Sequence, residues 1–205
     1  MGEGVEKILD EPSRTFLSGT RVRLRPLERD DLPRYRDLFS DPEVNLSFGG
    51  LGVPDSLSKV QRRYDSGEFE VTDRNLHLVV EAEGEIIGQV SLRNDENLPS
   101  RSATFGILIG AGYLNRGYGT EASTALLNYA FAVLGYHKIN LDLFEYNIRA
   151  LAMYEKLGFV HEGRRRENHW SRGRFWDDIL MGVTAEEWWA KHGPSPQPET
   201  TGERE

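Results

Sequence analysis

The segment Gly110–Ala122, GAGYLNRGYGTEA, constrains this chain more than any other, because it joins a strand-like run to a long amphipathic run through glycines. Glycine lets backbone N–H groups approach a ligand closely, and the first turn of a helix leaves N–H groups without internal partners. The helix dipole favours negative charge at the same place. Arg116 can add a cationic contact to a phosphate oxygen. The segment therefore fits a phosphate-bearing anion. A plain strand-to-helix connection, using glycine only for turn geometry, also accounts for these residues.

A dinucleotide is the first anion to weigh. Gly117, Gly119 and Ala122 match G-x-G-x-x-A, and Asp142 follows about 20 residues later, as in nicotinamide-dependent dehydrogenases. That fingerprint needs its first glycine directly after a strand. Here the strand ends near Ile109, and Gly110–Arg116 intervenes. The runs Leu76–Glu81, Glu85–Leu92 and Ala103–Ile109 alternate in the strand manner. Glu83-Gly84 is a tight-turn signal between the first two, and Asn94–Ser100 joins the second to the third. This is an antiparallel meander, not a βαβ series. No G-K-[ST] follows the glycines, so a nucleotide P-loop fails too.

The remaining patterns complete an α+β chain. Thr20–Pro26 reads as a strand, and Asp30-Asp31 open a short helix through Leu32, Tyr35, Leu38 and Phe39. A loop is expected over Asp41–Pro54, with Gly49, Gly50 and Gly52, either as a substrate lid or as a variable connection. A polar helix follows over Asp55–Tyr64. Gly117 opens a long helix with Ala122, Leu126, Leu127, Ala130, Val133 and Leu134 on its apolar side, closed by Gly135. Lys138–Phe144 is a strand, Asn147 caps a helix ending at Gly158, and strands follow at Phe159–Gly163 and Phe175–Gly182. Thr184 and Glu187 form a capping box for a last helix. Residues 1–18 and 193–205 have the polar composition of disordered ends around one domain over 19–192.

The segments ATFGILIGAGYLNRGYGTEA, KINLDLFEYNIRALAMYEKLGF and EGRRRE…FWDDILMG together resemble the GNAT superfamily of N-acetyltransferases. More narrowly, they are similar to its branch with ribosomal-protein alanine and spermidine N-acetyltransferases. The resemblance spans roughly Thr20–Val183. It implies a mixed, mainly antiparallel sheet, flanked by helices on both faces and splayed between its fourth and fifth strands, where acetyl-CoA inserts. It places Gly117 and Gly119 at the glycines of the pyrophosphate loop, with Asn115, Arg116, Tyr118 and Thr120 in the same nest. Leu114 stands where that motif usually has Gln or Arg. Ile107, Leu108 and Ile109 are implied to offer main-chain groups to pantetheine, and Asn147 to contact the cofactor nearby. Tyr154 is implied to be the general acid at the thioester sulfur. From spacing alone, Asn147 reads rather as an N-cap and Tyr154 as a core aromatic with a polar tip.

Acyl transfer to an amine needs that amine neutral, whereas a lysine-like ammonium titrates near about 10.4. A base, ordered water or a desolvating pocket must help. In many relatives a Glu sits where Thr104 stands, and Thr104 cannot act as one. His77, Glu81 and Asp142 fall on strands and are the remaining candidates. A catalytically silent acyl-CoA sensor stays open as the alternative. The expected acceptor is a small amine or a protein N-terminus, and a net charge of -8 leans towards a cationic one. The same charge disfavours nucleic acid. His161 and His169 have no metal-ligand spacing. Arg164–Arg166 and Arg172–Arg174 are expected to flank a loop, and Trp188 and Trp189 to pack on the domain or a partner subunit, so a homodimer stays open. With no cysteine, no signal segment and no membrane-length apolar run, a cytoplasmic location is the expectation.

Overall fold

In the computed structural model, residues 17–49, 52–72, 75–94 and 101–194 are described. The expected terminal arms therefore lie almost wholly outside the described residues, as do Gly50 and most of the connection 94–100. Seven strands of the described residues form one sheet: β1 (Arg23–Pro26), β2 (Asn75–Ala82), β3 (Glu85–Asn94), β4 (Ser102–Ile109), β5 (Lys138–Phe144), β6 (Val160–Ser171) and β7 (Arg174–Thr184). Their order is β1-β2-β3-β4-β5-β7-β6, and only the β4/β5 pair is parallel.

Among the described residues, six α-helices cover the sheet: α1 (Leu32–Ser40), α2 (Pro42–Ser47), α3 (Leu57–Asp65), α4 (Tyr118–Ala132), α5 (Ile148–Leu157) and α6 (Ala185–His192). One face buries Leu78, Leu126, Ile139, Leu157 and Trp188 beneath α4, α5 and α6. The other buries Val79 and Ile86 against Leu32, Tyr35 and Val60 of α1 and α3. Strand β2 thus feeds both cores from alternate residues, as a central strand must. No helix among the described residues is long and apolar enough to cross a membrane.

Several sequence expectations need correction. The loop expected over 41–54 contains α2, because Asp41 accepts hydrogen bonds from Glu43 and Val44 N–H and Pro42 supplies the first helical φ. Val133 and Leu134 lie beyond the end of α4, and Val133 is exposed. Strands β6 and β7 run further than their apolar residues suggest. Arg164–Arg166 therefore sit within β6, and Arg172 in the two-residue turn before Arg174 opens β7. Trp188 is fully buried, stacked 3.8 Å from His192, with Nε1 donating to Asn128 Oδ1 at 2.9 Å. The capping box of Thr184 and Glu187 is present.

Candidate active site

The site begins where the sheet fails to stay closed. Strands β4 and β5 pair only at Ser102/Lys138, Ala103/Ile139 and Thr104/Asn140. Beyond Thr104 they diverge, so the edge of β4 that faces β5 loses its partner. The Gly110 N–H donates to Ile87 O at 2.8 Å, which fixes the alternation of β4. Even-numbered residues turn their peptide groups to β3, and Phe105, Ile107 and Ile109 turn theirs to the gap. Ile107 and Ile109 are thus free to extend the sheet to a ligand. The expectation for Leu108 is corrected: its peptide faces β3, and only its buried side chain reaches the cavity.

The glycine turn stands at one end of this gap. Asn115 and Gly117 adopt left-handed φ values of 61° and 85°, and Gly117 is the N-cap of α4. The first internal bond of α4 runs from Glu121 N–H to Gly117 O at 3.1 Å. The N–H groups of Tyr118, Gly119 and Thr120 therefore precede the helix ladder and suit an anion. Arg21 clamps the turn, donating to Arg116 O at 3.0 Å and pairing with Glu121 at 3.0 Å. Asn115, Gly117, Gly119 and Thr120 line the cavity, but the side chains of Arg116 and Tyr118 do not. Arg116 lies over the Tyr113 ring, 4.0 Å from Glu83, and the buried Tyr118 hydroxyl donates to Glu83. Only their main chains can join the nest.

Helix α5 forms the facing wall. Asn147 caps it by accepting from Ala150 N–H at 3.3 Å, and it lines the cavity as well. Tyr154, two turns on, also lines the cavity and packs edge-on to Phe105 with ring centroids 6.2 Å apart. Burial, with a smaller push from the Asp142 carboxylate, raises its pKa above the ordinary tyrosine range. The hydroxyl therefore keeps its proton at working pH. The cavity holds about 620 Å³, and its walls come from both faces of the sheet. Sequence reasoning missed Glu43, Phe48, Arg93, Phe144, Arg149 and Lys156 among them. The only signal for Phe144 was its parity on β5, opposite to the buried Ile139, Leu141 and Leu143.

Of the candidate bases, Asp142 alone faces the cavity, with Thr104 beside it. Glu81 is taken by Arg25 at 2.6 Å. His77 lies in the second core beside Phe69, 3.3 Å from the Tyr35 hydroxyl. Burial, aided by nearby Arg63, pushes its pKa down to about 4. The unfolded chain then binds a proton that the folded chain refuses between roughly pH 6.5 and pH 4. Stability is complete above this window and falls on acidification through it, by about 3 kcal/mol for this group. His77→Leu should flatten that acid limb in urea unfolding at pH 4.5 against pH 7; an unchanged slope would place the titration elsewhere. No group of three or more His, Cys, Asp or Glu residues suited to a metal occurs among the described residues.

Comparison with known proteins adds a family and solved relatives. Residues 21–160 match the model for the Acetyltransferase (GNAT) domain. The spermidine N(1)-acetyltransferase of Escherichia coli (strain K12) is 30% identical over 175 residues, covering 85% of this chain and 92% of that protein. The putative ribosomal N-acetyltransferase YdaF of Bacillus subtilis is 27% identical over 52% of this chain and 57% of its own length. Among solved structures, the spermidine N-acetyltransferase of Vibrio cholerae in complex with CoA and spermine superimposes with a TM-score of 0.74 at 28% identity. That match covers 82% of this chain and 98% of the other.

Proposed function

The chain belongs to the GNAT acetyltransferase family and is an acetyl-CoA-dependent N-acetyltransferase; on that premise we propose how its residues divide the reaction. Family membership disfavours the silent-sensor reading. It also overturns the dehydrogenase reading of Gly117, Gly119, Ala122 and Asp142, as does the antiparallel lead-in to the turn. The free N–H groups of Tyr118, Gly119 and Thr120 receive the pyrophosphate. The open peptides of Ile107 and Ile109 receive the pantetheine arm by strand addition. When bound, acetyl-CoA supplies the activated carbonyl.

The odd residues of β5 are buried under α4 and α5, so Asp142 and Phe144 face the opposite side, where α2 lies. The amine enters from that side. Asp142 draws in the ammonium and takes its proton, directly or through water, as the new N–C bond forms. Tyr154 gives its proton to the sulfur as the C–S bond breaks, and the second proton lost by the nitrogen returns, directly or through water, to the Tyr154 oxygen, leaving amide, CoA thiol and one proton on Asp142. The observation that carries this reading is the placement of Asp142 and Tyr154 on one cavity beside the unpaired edge of β4.

The acceptor is a primary amine. The wall holds Glu43 and Asp142 beside Arg93, Arg149 and Lys156, so it is the local carboxylate of Asp142, as the base, that favours an amine arriving charged. Spermidine is the first probe, because it is named for relatives that align along most of the chain. Release of the CoA thiol across a panel of polyamines, amino sugars and peptides tests the reading; release with none of them sinks it. Asp142→Asn should lower kcat/KM about tenfold at pH 7. The deficit should shrink as pH approaches the amine's own pKa near about 10, where no base is needed. A deficit constant with pH would exclude Asp142 as the base.

A further inference from the structure

We infer that the acceptor carries an anionic group beyond its amine, as the N-terminus of an acidic peptide does, and that Arg172 and Arg174 receive that group. This rests on the reading that the amine enters on the Asp142 side of the cavity.

The β6–β7 hairpin carries five arginines, and three of them face carboxylates. Arg164 is bonded to Asp177 and Glu145, Arg165 lies 4.0 Å from Asp178, and Arg166 shares a surface depression with Asp177. Arg172 and Arg174 have no carboxylate within ion-pair distance among the described residues. Each lies instead on an aromatic face. Arg172 is 5.4 Å above the Tyr146 ring, and Arg174 is 3.4 Å above that of Trp176. Stacking of this kind holds a guanidinium in place and leaves the donors on its edge free for a planar anion.

These rings connect the arginines to the cavity. Trp176 and Tyr146 are 5.0 Å apart, and Tyr146 stacks on Phe144 at 5.3 Å with 16° between planes. Phe144 is itself part of the cavity wall. The cavity wall carries Glu43 and Asp142 together with Arg93, Arg149 and Lys156, whereas the hairpin end beyond Tyr146 presents Arg172 and Arg174 with no carboxylate paired to them among the described residues. A polyamine would bring a second cation up to these two arginines, whereas an amine followed by an anion brings them a counter-charge. Neither buried Asp178, which accepts from Asn168 at 2.6 Å, nor Glu145, bonded to Arg164, cancels the outer pair. Arg93 on β3 and Arg149 and Lys156 on α5 are the cations of the cavity wall itself.

The test is thiol release by the full chain with acetyl-CoA and matched acceptors: spermidine, and peptides whose N-terminal alanine precedes glutamates, glutamines or lysines. The glutamate peptide should exceed the glutamine peptide in kcat/KM by about fivefold, with spermidine and the lysine peptide below both. The gap should close through KM in Arg172→Ala/Arg174→Ala, while the glutamine peptide is turned over as before. Arg172→Lys/Arg174→Lys should keep part of it, and raised salt should shrink it in the unaltered protein. No preference for glutamate, a preference for spermidine, or a preference lost in Arg93→Ala instead would overturn the inference. Thiol release with no acceptor of any kind would overturn the reading of the cavity itself.

Discussion

Tyr154→Phe is expected to lower kcat about 100-fold while leaving CoA affinity within about twofold, measured by single-turnover thiol release and by CoA titration. The substitution removes one oxygen and keeps the ring that packs against Phe105 and Phe159. Burial and the Asp142 charge hold the phenolic proton in place, so in the proposed reaction Tyr154 has a proton to give at any working pH. If Tyr154 were only a core aromatic, the Phe variant would fold equally well and lose nothing in turnover. The thermal midpoint should move little, because no described residue hydrogen-bonds the hydroxyl. Loss of turnover without loss of stability separates the chemical role from the packing role. An unchanged kcat would remove Tyr154 from the chemistry and leave the thiolate to depart without a protein donor.

The parts legible in the sequence are those set by short-range rules. The period-2 alternation of β2–β4, the turn at Glu83-Gly84, the caps at Asn147 and Thr184 and the break at Gly158 each follow from local chemistry, and all are present. The acceptor side was less legible. Phe48, Arg93 and Phe144 come from three elements far apart in the chain, and the sheet order alone brings them to one cavity. The sorting of His77, Glu81 and Asp142 shows the same limit. All three are polar residues on strands, but one is half-buried against Phe69 and Tyr35, one is held by Arg25 and one faces the gap. The hairpin arginines read as loop residues because β6 has almost no apolar face to reveal it, being exposed along nearly its whole length at the sheet edge.

Gly119 and Gly117 look alike in the motif, yet their substitutions should fail in different ways. Gly119 lies inside the first turn of α4 with an ordinary helical backbone, so a side chain there costs the fold little. What it would occupy is the cavity: a Cβ atom at this position comes within 3.3 Å of Met153 Sδ, 3.6 Å of Ile109 and 3.9 Å of Ile107. Those groups border the open edge of β4, where the proposed strand addition places the pantetheine arm. Gly119→Val should therefore raise KM for acetyl-CoA at least about tenfold, with kcat at saturation less affected and no loss in the thermal midpoint. Gly117 differs because φ is 85°, a region that disfavours side chains, and a Cβ there meets Arg21 at 3.0 Å. Gly117→Ala should cost stability, about 1–2 kcal/mol, by straining the turn that Arg21 clamps. Equal thermal midpoints for the two variants, or an unchanged KM in Gly119→Val, would break this division. One glycine then sets the direction of the chain as it enters α4, and the other keeps clear the space beside β4.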